Sequence, residues 1–387
     1  MLSSIYHAGL PLTLGILGGG QLAKMTAQAA YRMGLRVAII EHAENSPAGM
    51  MTKLDFPKGW SDDPSLDEFI KVSDIVTLEN EFIDGETLQI IAEKRQVYPM
   101  PQTMLLVQDK LTQKETFLKA GIPMAEFAPI HTVEDGIAFG EKWGFPFVIK
   151  TRKYGYDGYG NATVYDKYDI QGAINKFHDP ESPRELMAES FVKFSKELAV
   201  MVARNRRGET VVYPCVETVQ RNHICHAVLA PAPVSDEVLK AAQDIALKCV
   251  ETIKGVGVFG IEMFLKEDGS LAFNEIAPRP HNSGHYTIEA CHTSQFENHV
   301  RAVCNLPLGS PAMVVPAACM INILGVRTGQ GIPDTPVGTL KEPHAALHLY
   351  GKKDSRTGRK MGHITALGST LEEAYTRANT AAEELVW

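Results

Sequence analysis

Residues 259–285 read FGIEMFLKEDGSLAFNEIAPRPHNSGH, and how this stretch pairs with itself decides the fold. Val258, Phe259, Ile261, Met263, Phe264 and Leu265 predict one strand and Leu271 to Ile276 another, with the type I′ turn dipeptide Asp268-Gly269 between them. A two-residue turn there sets Glu262 opposite Glu275 and Phe264 opposite Phe273. A three-residue loop would slip the pairing by one and part the two acids. Facing carboxylates repel each other. A chain accommodates them most readily with a cation between them, and oxygen-only ligation of this kind suits magnesium with a nucleotide phosphate. The bland alternative is a solvated acidic hairpin end.

The chain has 387 residues, 44% of them hydrophobic, enough for two or three domains with sizeable cores. No apolar run approaches the ~20 residues a membrane helix needs, and MLSSIYHAGLPLTLGILGGG lacks a basic start and a cleavage site. Net charge −8 argues against broad nucleic-acid binding, which needs a concentrated positive face. Cys215, Cys225, Cys249, Cys291, Cys304 and Cys319 form no CxxC pair and predict reduced thiols, most of them buried, of a cytoplasmic protein.

The chain opens with the alternation of a parallel α/β sheet. Leu12 to Leu17 is an apolar strand, Gly18-Gly19-Gly20 a tight loop, Gln21 to Met33 a helix closed at Gly34, and Val37 to Glu41 the next strand. Gly18, Gly20 and Ala23 fit G-x-G-x-x-A, and Glu41 stands where a dinucleotide fold places its ribose acid. Alone, this reads as a nicotinamide dehydrogenase. Any loop entering a helix offers free N–H groups to a phosphate, so the fingerprint is weak. A further strand, Asp74 to Leu78, ends in Glu79-Asn80-Glu81 at the carboxyl edge where open α/β sheets bind ligands.

A second region starts near residue 109. Asp109 to Ala120 predicts a charged helix and Phe145 to Lys150 a strand. Lys150 closes an apolar run, where an amine needs an anionic partner. Tyr154-Gly155-Tyr156-Asp157-Gly158-Tyr159-Gly160-Asn161 follows, a loop able to lie close over phosphates, although it is not a P-loop. Leu186 to Val192 is a strand carrying Glu189, and Glu197 begins another.

The order Lys110, Lys150, glycine-rich loop, Glu189, Glu197, Glu262, Asn274-Glu275 resembles the ATP-grasp superfamily, whose two α+β lobes clamp ATP. Within it, GGGQL (18–22), DKLTQK (109–114), Tyr156-Asp157-Gly158, NEIAPRPHNSGH (274–285) and GRKMGH (358–363) look like the 5-(carboxyamino)imidazole ribonucleotide synthase family. The resemblance runs from about Leu14 to His363 and is most specific at HNSGH. It implies an ATP-dependent ligase of purine biosynthesis that carboxylates 5-aminoimidazole ribonucleotide with bicarbonate through carboxyphosphate. It also implies a homodimer.

By the same resemblance, Glu262 and Glu275 hold Mg2+ with ATP, Lys110 and Lys150 pair with phosphates, and Gly155, Gly158 and Gly160 belong to the lid over them. Glu189, Phe191 and Val192 form the adenine hinge, Glu197 takes the ribose, and Asn274 belongs with them to the ATP site. Asp157, Tyr156, Arg279 and Lys353 are the implied catalytic set, with Asp157 on the imidazole amine. The acceptor site draws on Gly20, Gln21, Leu22, Glu79, His281, Asn282, Ser283 and His285, and its phosphate falls to Lys353 and Arg359 beside Arg356 and Lys360. Tyr159, Phe82 and Gln220 depart from the pattern, where relatives carry a cation, an Asn and a His; Tyr159 bears on bicarbonate activation.

The expected architecture is mixed α/β and α+β: an N-terminal parallel α/β domain (1–108), ATP-grasp lobes (109–310) and a small C-terminal β-rich domain with a closing helix (311–387). Another ATP-grasp ligase or a formate-dependent ribonucleotide transformylase is the alternative within the fold. A dehydrogenase or a non-catalytic nucleotide sensor is the alternative outside it.

Overall fold

The structure is a computed structural model and describes residues 5–7, 9–153, 155, 160–177, 184–222 and 224–385. Its N-terminal part is a five-stranded parallel sheet in the order Leu54–Phe56, Arg36–Ile40, Thr13–Leu17, Ile75–Leu78, Gln96–Val97. Thr13–Leu17 and Arg36–Ile40 are buried almost throughout, as expected of strands covered on both faces. Helices Gln21–Arg32, Asp63–Val72 and Gly85–Lys94 make the crossovers, the second and third N-capped by Asp62 and Asp84. Because the first strand lies between the second and the Ile75–Leu78 strand, strand order reverses there. Gly18–Gly20 and Glu79–Glu81 therefore emerge side by side at the switch point of the sheet.

A smaller lobe follows, an antiparallel sheet in the order Asn161–Val164, Phe147–Thr151, Leu186–Ser190, Phe127–Ile130. Its core of Ile130, Phe139, Phe147, Ile149, Ile170 and Ala188 is closed by helices Val133–Trp143 and Asp169–Asn175. Helix Lys110–Lys119 leads into the lobe with Asp109 as its cap rather than its first residue: the carboxylate accepts from Leu111 and Thr112 N–H and pairs with Arg152 at 2.6 Å.

The larger sheet is antiparallel. It runs Leu271–Ala277, Gly257–Lys266, Phe194–Arg204, Val216–Arg221, Ile224–Ala230, Ala317–Leu324, Lys360–Gly368, Ala345–Leu349, with Thr210–Val212 paired to the Phe194–Arg204 strand. The C-terminal strands thus extend this sheet instead of forming a second one, joined through Ile224–Ala230 and Ala317–Leu324. Helix Asp236–Ile253 buries Ala242, Ala246, Cys249 and Val250 against one end, and helix Leu371–Glu383 sets Ala374 and Ala378 against Ala317 and Cys319 at the other.

The 259–285 hairpin departs from expectation in an informative way. Its turn has three residues, Glu267-Asp268-Gly269: Lys266 N–H donates to Ser270 C=O at 2.9 Å and Gly269 N–H to Lys266 C=O at 3.0 Å. Gly269 alone of the three takes positive φ, +81°, the arrangement of a three-residue loop with a left-handed last residue. The pairing slips as that loop requires, so Phe264 faces Ala272 and Met263 faces Phe273, not the predicted Phe264–Phe273 pair. One residue later Asn274 is extruded as a bulge, the register returns, and Glu262 faces Glu275. Two opposite slips cancel.

A side chain at position 269 would meet nothing within 4 Å, so Gly269→Ala should cost only backbone strain, about 1 kcal/mol. Asp268→Ala carries no such strain. Denaturation midpoints of the two variants against the unmodified chain check this; an unshifted Gly269→Ala would contradict the turn.

Candidate functional site

The restored register puts Glu262 and Glu275 side by side near the end of the hairpin away from its turn. Lys110, at the start of its helix, reaches Glu275 with Nζ at 2.6 Å from Oε2. That ammonium, against the opposing effect of burial, holds Glu275 well below the usual carboxylate range. Glu262 goes the other way, raised by burial and then by the charges of Glu275 and Glu197. His281 Nε2 lies 3.6 Å from Glu262 Oε1, but burial and the neighbouring Arg279 hold its pKa at about 3, so the contact is not an ion pair. Glu197 accepts a 2.8 Å bond from Gln220, so the departure from His at position 220 keeps a donor to this acid.

An acid whose charge is disfavoured beside one already ionised suits a divalent cation. Among the described residues no cluster of three or more His, Cys, Asp or Glu side chains would hold a metal by itself. A cation here would need further oxygens from a nucleotide.

Behind this pair lies a second charged group. Glu189 is 3% exposed and accepts from Lys114 at 2.8 Å and Lys150 at 2.7 Å. Burial alone would raise its pKa, yet the two ammoniums hold it at about 2. Its side chain is therefore committed to lysines, and its backbone stands in the sheet between Val148 and Phe127. Phe191 and Val192 lie in the link between Leu186–Ser190 and Phe194–Arg204, which joins the sheets of the two lobes, with Phe194 stacked on Phe264 at 4.6 Å. Gly160 has φ +97°, and a Cβ there would stand 2.7 Å from Thr151 Oγ1 and 3.0 Å from Gly155 Cα, so the root of the glycine-rich loop admits no side chain. Tyr154, Tyr156, Asp157, Gly158 and Tyr159 lie outside the described residues.

At the switch point, Gly20 and Ala23 N–H donate to the two oxygens of Glu79 at 2.7 and 2.9 Å, and Gly19 N–H donates to Glu41 at 2.8 Å. The N–H groups a pyrophosphate would use are thus taken by the chain's own acids. The dehydrogenase reading fails on this geometry. Gln21 opens the helix; Leu22 is buried against Met25, Phe296 and Tyr350. Across the gap Arg279 grips Glu81 in a fork of 2.5 and 2.9 Å.

Of the HNSGH side chains, only His281 faces the acids. Asn282 exchanges two amide bonds with Asn322 at 2.8 and 2.7 Å, Ser283 bonds His281 Nδ1 at 2.7 Å, and His285 is buried against Gln295 and His363. In the basic turn, Lys353 is exposed while Lys352 points inward, its Nζ on the Lys360 carbonyl at 2.8 Å. Burial, then Arg359, Lys360 and Arg356, press the Lys352 pKa down to about 8 against the pull of Glu79. Arg359 donates to the Asp354 carbonyl at 2.6 Å.

Three domain families match the chain in series. These are the ribonucleotide synthetase preATP-grasp domain over residues 12–108, the ATP-grasp domain over 115–296 and the phosphoribosylaminoimidazole carboxylase C-terminal domain over 318–377. The N5-carboxyaminoimidazole ribonucleotide synthase of Synechococcus elongatus is 38% identical over 97% of this chain and 95% of its own length. This chain belongs to the N5-carboxyaminoimidazole ribonucleotide synthase family. Its members are ATP-grasp carbon–nitrogen ligases of purine biosynthesis. A crystal structure of the Aspergillus clavatus N5-carboxyaminoimidazole synthase in complex with ADP and 5-aminoimidazole ribonucleotide matches with a TM-score of 0.87 and 37% identity, covering 96% of this chain and 98% of that one. The phosphoribosylaminoimidazole carboxylase of Ogataea methanolica is 42% identical over 94% of this chain, which spans 68% of that protein. Among the described residues no helix is long and apolar enough to cross a membrane.

Sequence reasoning missed two lysines. Lys114 was signalled by its place four residues after Lys110, on the same helix face. Lys352 had no signal beyond adjacency to Lys353. The buried Lys114–Glu189–Lys150 group makes a sharp prediction. Glu189 is depressed from 4.5 to about 2, so its stabilisation, on the order of 3 kcal/mol, is present above pH 4.5 and lost as pH falls toward 2. Glu189→Gln strands the buried Lys114 ammonium and the half-buried one of Lys150 and should lose about 3 kcal/mol at pH 7. It should then decline less than the unmodified chain on acidification from about pH 5 to 3. Urea midpoints across that range decide it; parallel curves would contradict the assignment.

Proposed function

We propose that this chain uses ATP to carboxylate the exocyclic amine of 5-aminoimidazole ribonucleotide with bicarbonate. ATP passes its γ-phosphoryl group to bicarbonate, giving ADP and carboxyphosphate. The amine then attacks the carboxyl carbon, the C–O bond to phosphate breaks, and the amine proton leaves. The observation that carries this reading is the facing Glu262–Glu275 pair with Lys110, set across from a separate basic turn at the switch point. The Aspergillus clavatus relative, solved with ADP and 5-aminoimidazole ribonucleotide, supports the same two ligands here.

Glu262 and Glu275 would hold Mg2+, which supplies neutralisation of charge on the transferring phosphoryl group. Lys110 and Lys150 bring positive charge to the same edge, and Phe264 offers an apolar face to the base beside the Phe191–Lys193 link. Glu79 orients the acceptor's ribose, and Arg279, held by Glu81, presents its remaining edge to the carboxylate being transferred. Asp157 would hydrogen-bond the acceptor amine. Lys352 and Arg359 take the acceptor phosphate, Lys352 in preference to the exposed Lys353. A homodimer in the cytoplasm belongs to the same proposal, and six free cysteines agree with a reducing compartment.

ADP release with bicarbonate and aminoimidazole ribonucleotide each omitted in turn tests the reaction. Full turnover should require both, and turnover with formate in place of bicarbonate would move the chain to the transformylases. Glu275→Gln should abolish turnover with the fold intact; wild-type ADP production at limiting magnesium would remove the two-acid site. Lys352 adds a pH signature. Cationic below about 8 and neutral above, it should let kcat/KM for the acceptor fall as pH rises through that value, while Lys352→Arg keeps the charge and flattens the profile. An unchanged slope in Lys352→Arg would exclude Lys352 from the phosphate site.

A further inference from the structure

The N-terminal sheet meets the large sheet through helix Gln295–Val303, whose Val300 and Val303 pack with Leu14, Ile16 and Ala27. Besides the Arg279–Glu81 fork and the Arg32–Glu297 pair nearer the surface, a buried polar chain crosses the junction. Val258 N–H, in the strand that carries Glu262, donates to His299 Nδ1 at 3.0 Å. His299 Nε2 lies 2.8 Å from Thr77 Oγ1, in the strand that carries Glu79 and Glu81, and Thr77 Oγ1 donates to the Tyr98 carbonyl at 2.8 Å.

Only one proton arrangement satisfies every member. Nδ1 accepts from a peptide N–H and is bare, so Nε2 carries the proton and donates to Thr77, whose own proton goes to Tyr98. His299 and Thr77 are both 0% exposed, so no water competes, and burial holds His299 neutral with a pKa of about 3. The ring also lies against backbone that only glycine provides: Gly257 has φ +121°, and a Cβ there would stand 3.0 Å from His299 Cε1.

Thr77 is two residues from Glu79, and Val258 is four from Glu262. We propose that the Val258–His299–Thr77 hydrogen-bond chain sets the acceptor edge of the N-terminal sheet against the phosphoryl-transfer edge of the large sheet, with His299 as a positioning residue. The inference rests on the proposed carboxylation. An acceptor amine held out of register meets carboxyphosphate less often, so the defect should appear in acceptor use before it appears in ATP use.

Thr77→Val removes the hydroxyl at constant shape, and Thr77→Ser restores it. For Thr77→Val, the acceptor KM should rise about tenfold, the loss of one such bond, and ADP should exceed carboxylated product, while the KM for ATP stays within about twofold. Thr77→Ser should return all three to near the unmodified values. Equal behaviour of the two variants, or a loss of kcat with KM and coupling unchanged, would reduce the chain to a structural contact and overturn the proposal. Nitrogen NMR of histidine-labelled protein at pH 7, with His299 assigned through His299→Gln, gives a readout independent of turnover. It should show a neutral ring protonated at Nε2; protonation at Nδ1 or at both nitrogens overturns the proposal even if Thr77→Val does not fold. Failure of the carboxylation reading is distinct, since it appears as absent acceptor-dependent ADP release in the unmodified protein.

Discussion

Two carboxylates forced to face each other are the constraint on which the site depends. Strand pairing fixes Glu262 opposite Glu275, and the repulsion this creates is met first by Lys110, from a helix in another part of the chain, with Lys150 and Lys360 adding to it. One acid is driven toward its neutral form and the other stays ionised. The helix that delivers Lys110 is itself fixed by Asp109, which caps it and holds Arg152 at the root of the glycine-rich loop. Hairpin, helix and loop are thereby tied to one another by short charged contacts, with the apolar cores beneath them supplying rigidity.

The N-terminal sheet resolves an ambiguity common to all glycine-rich βα turns. Such a turn offers N–H groups and a positive helix end, and sequence cannot tell what anion they receive. Here Glu79 and Glu41 receive them from within the chain. The loop that resembles a cofactor cradle is instead a mount that orients Glu79 toward the gap it shares with Arg279.

Legibility followed the range of the interactions. The parallel strands, the placing of Glu79-Asn80-Glu81 at their carboxyl edge and the hairpin strands rest on local periodicity and turn residues, and these were readable. The register of the hairpin was not, because the three-residue turn and the Asn274 bulge each shift it by one and only their combination restores the acid pair. The facing of Glu262 and Glu275 was thus correctly anticipated from a turn that is not there. The continuity of the large sheet depends on edge pairing between Ile224–Ala230 and Ala317–Leu324, far apart in sequence and invisible to pattern. Likewise, which of Lys352 and Lys353 points inward is set by a turn of irregular backbone, which has no period from which to read it.

The two ends of the site carry opposite unfinished electrostatics. At one, two acids exceed the positive charge beside them; at the other, Lys352 is crowded by Arg359, Lys360 and Arg356 until its proton is loosely held. Each end is partly quieted by an internal partner, Lys110 on Glu275 and Glu79 beside the basic turn. In the proposed reaction a metal nucleotide completes the first end and a ribonucleotide phosphate the second. Lys360 acts on both ends, lowering Glu262 and pressing on Lys352, so a change of charge at one is felt at the other.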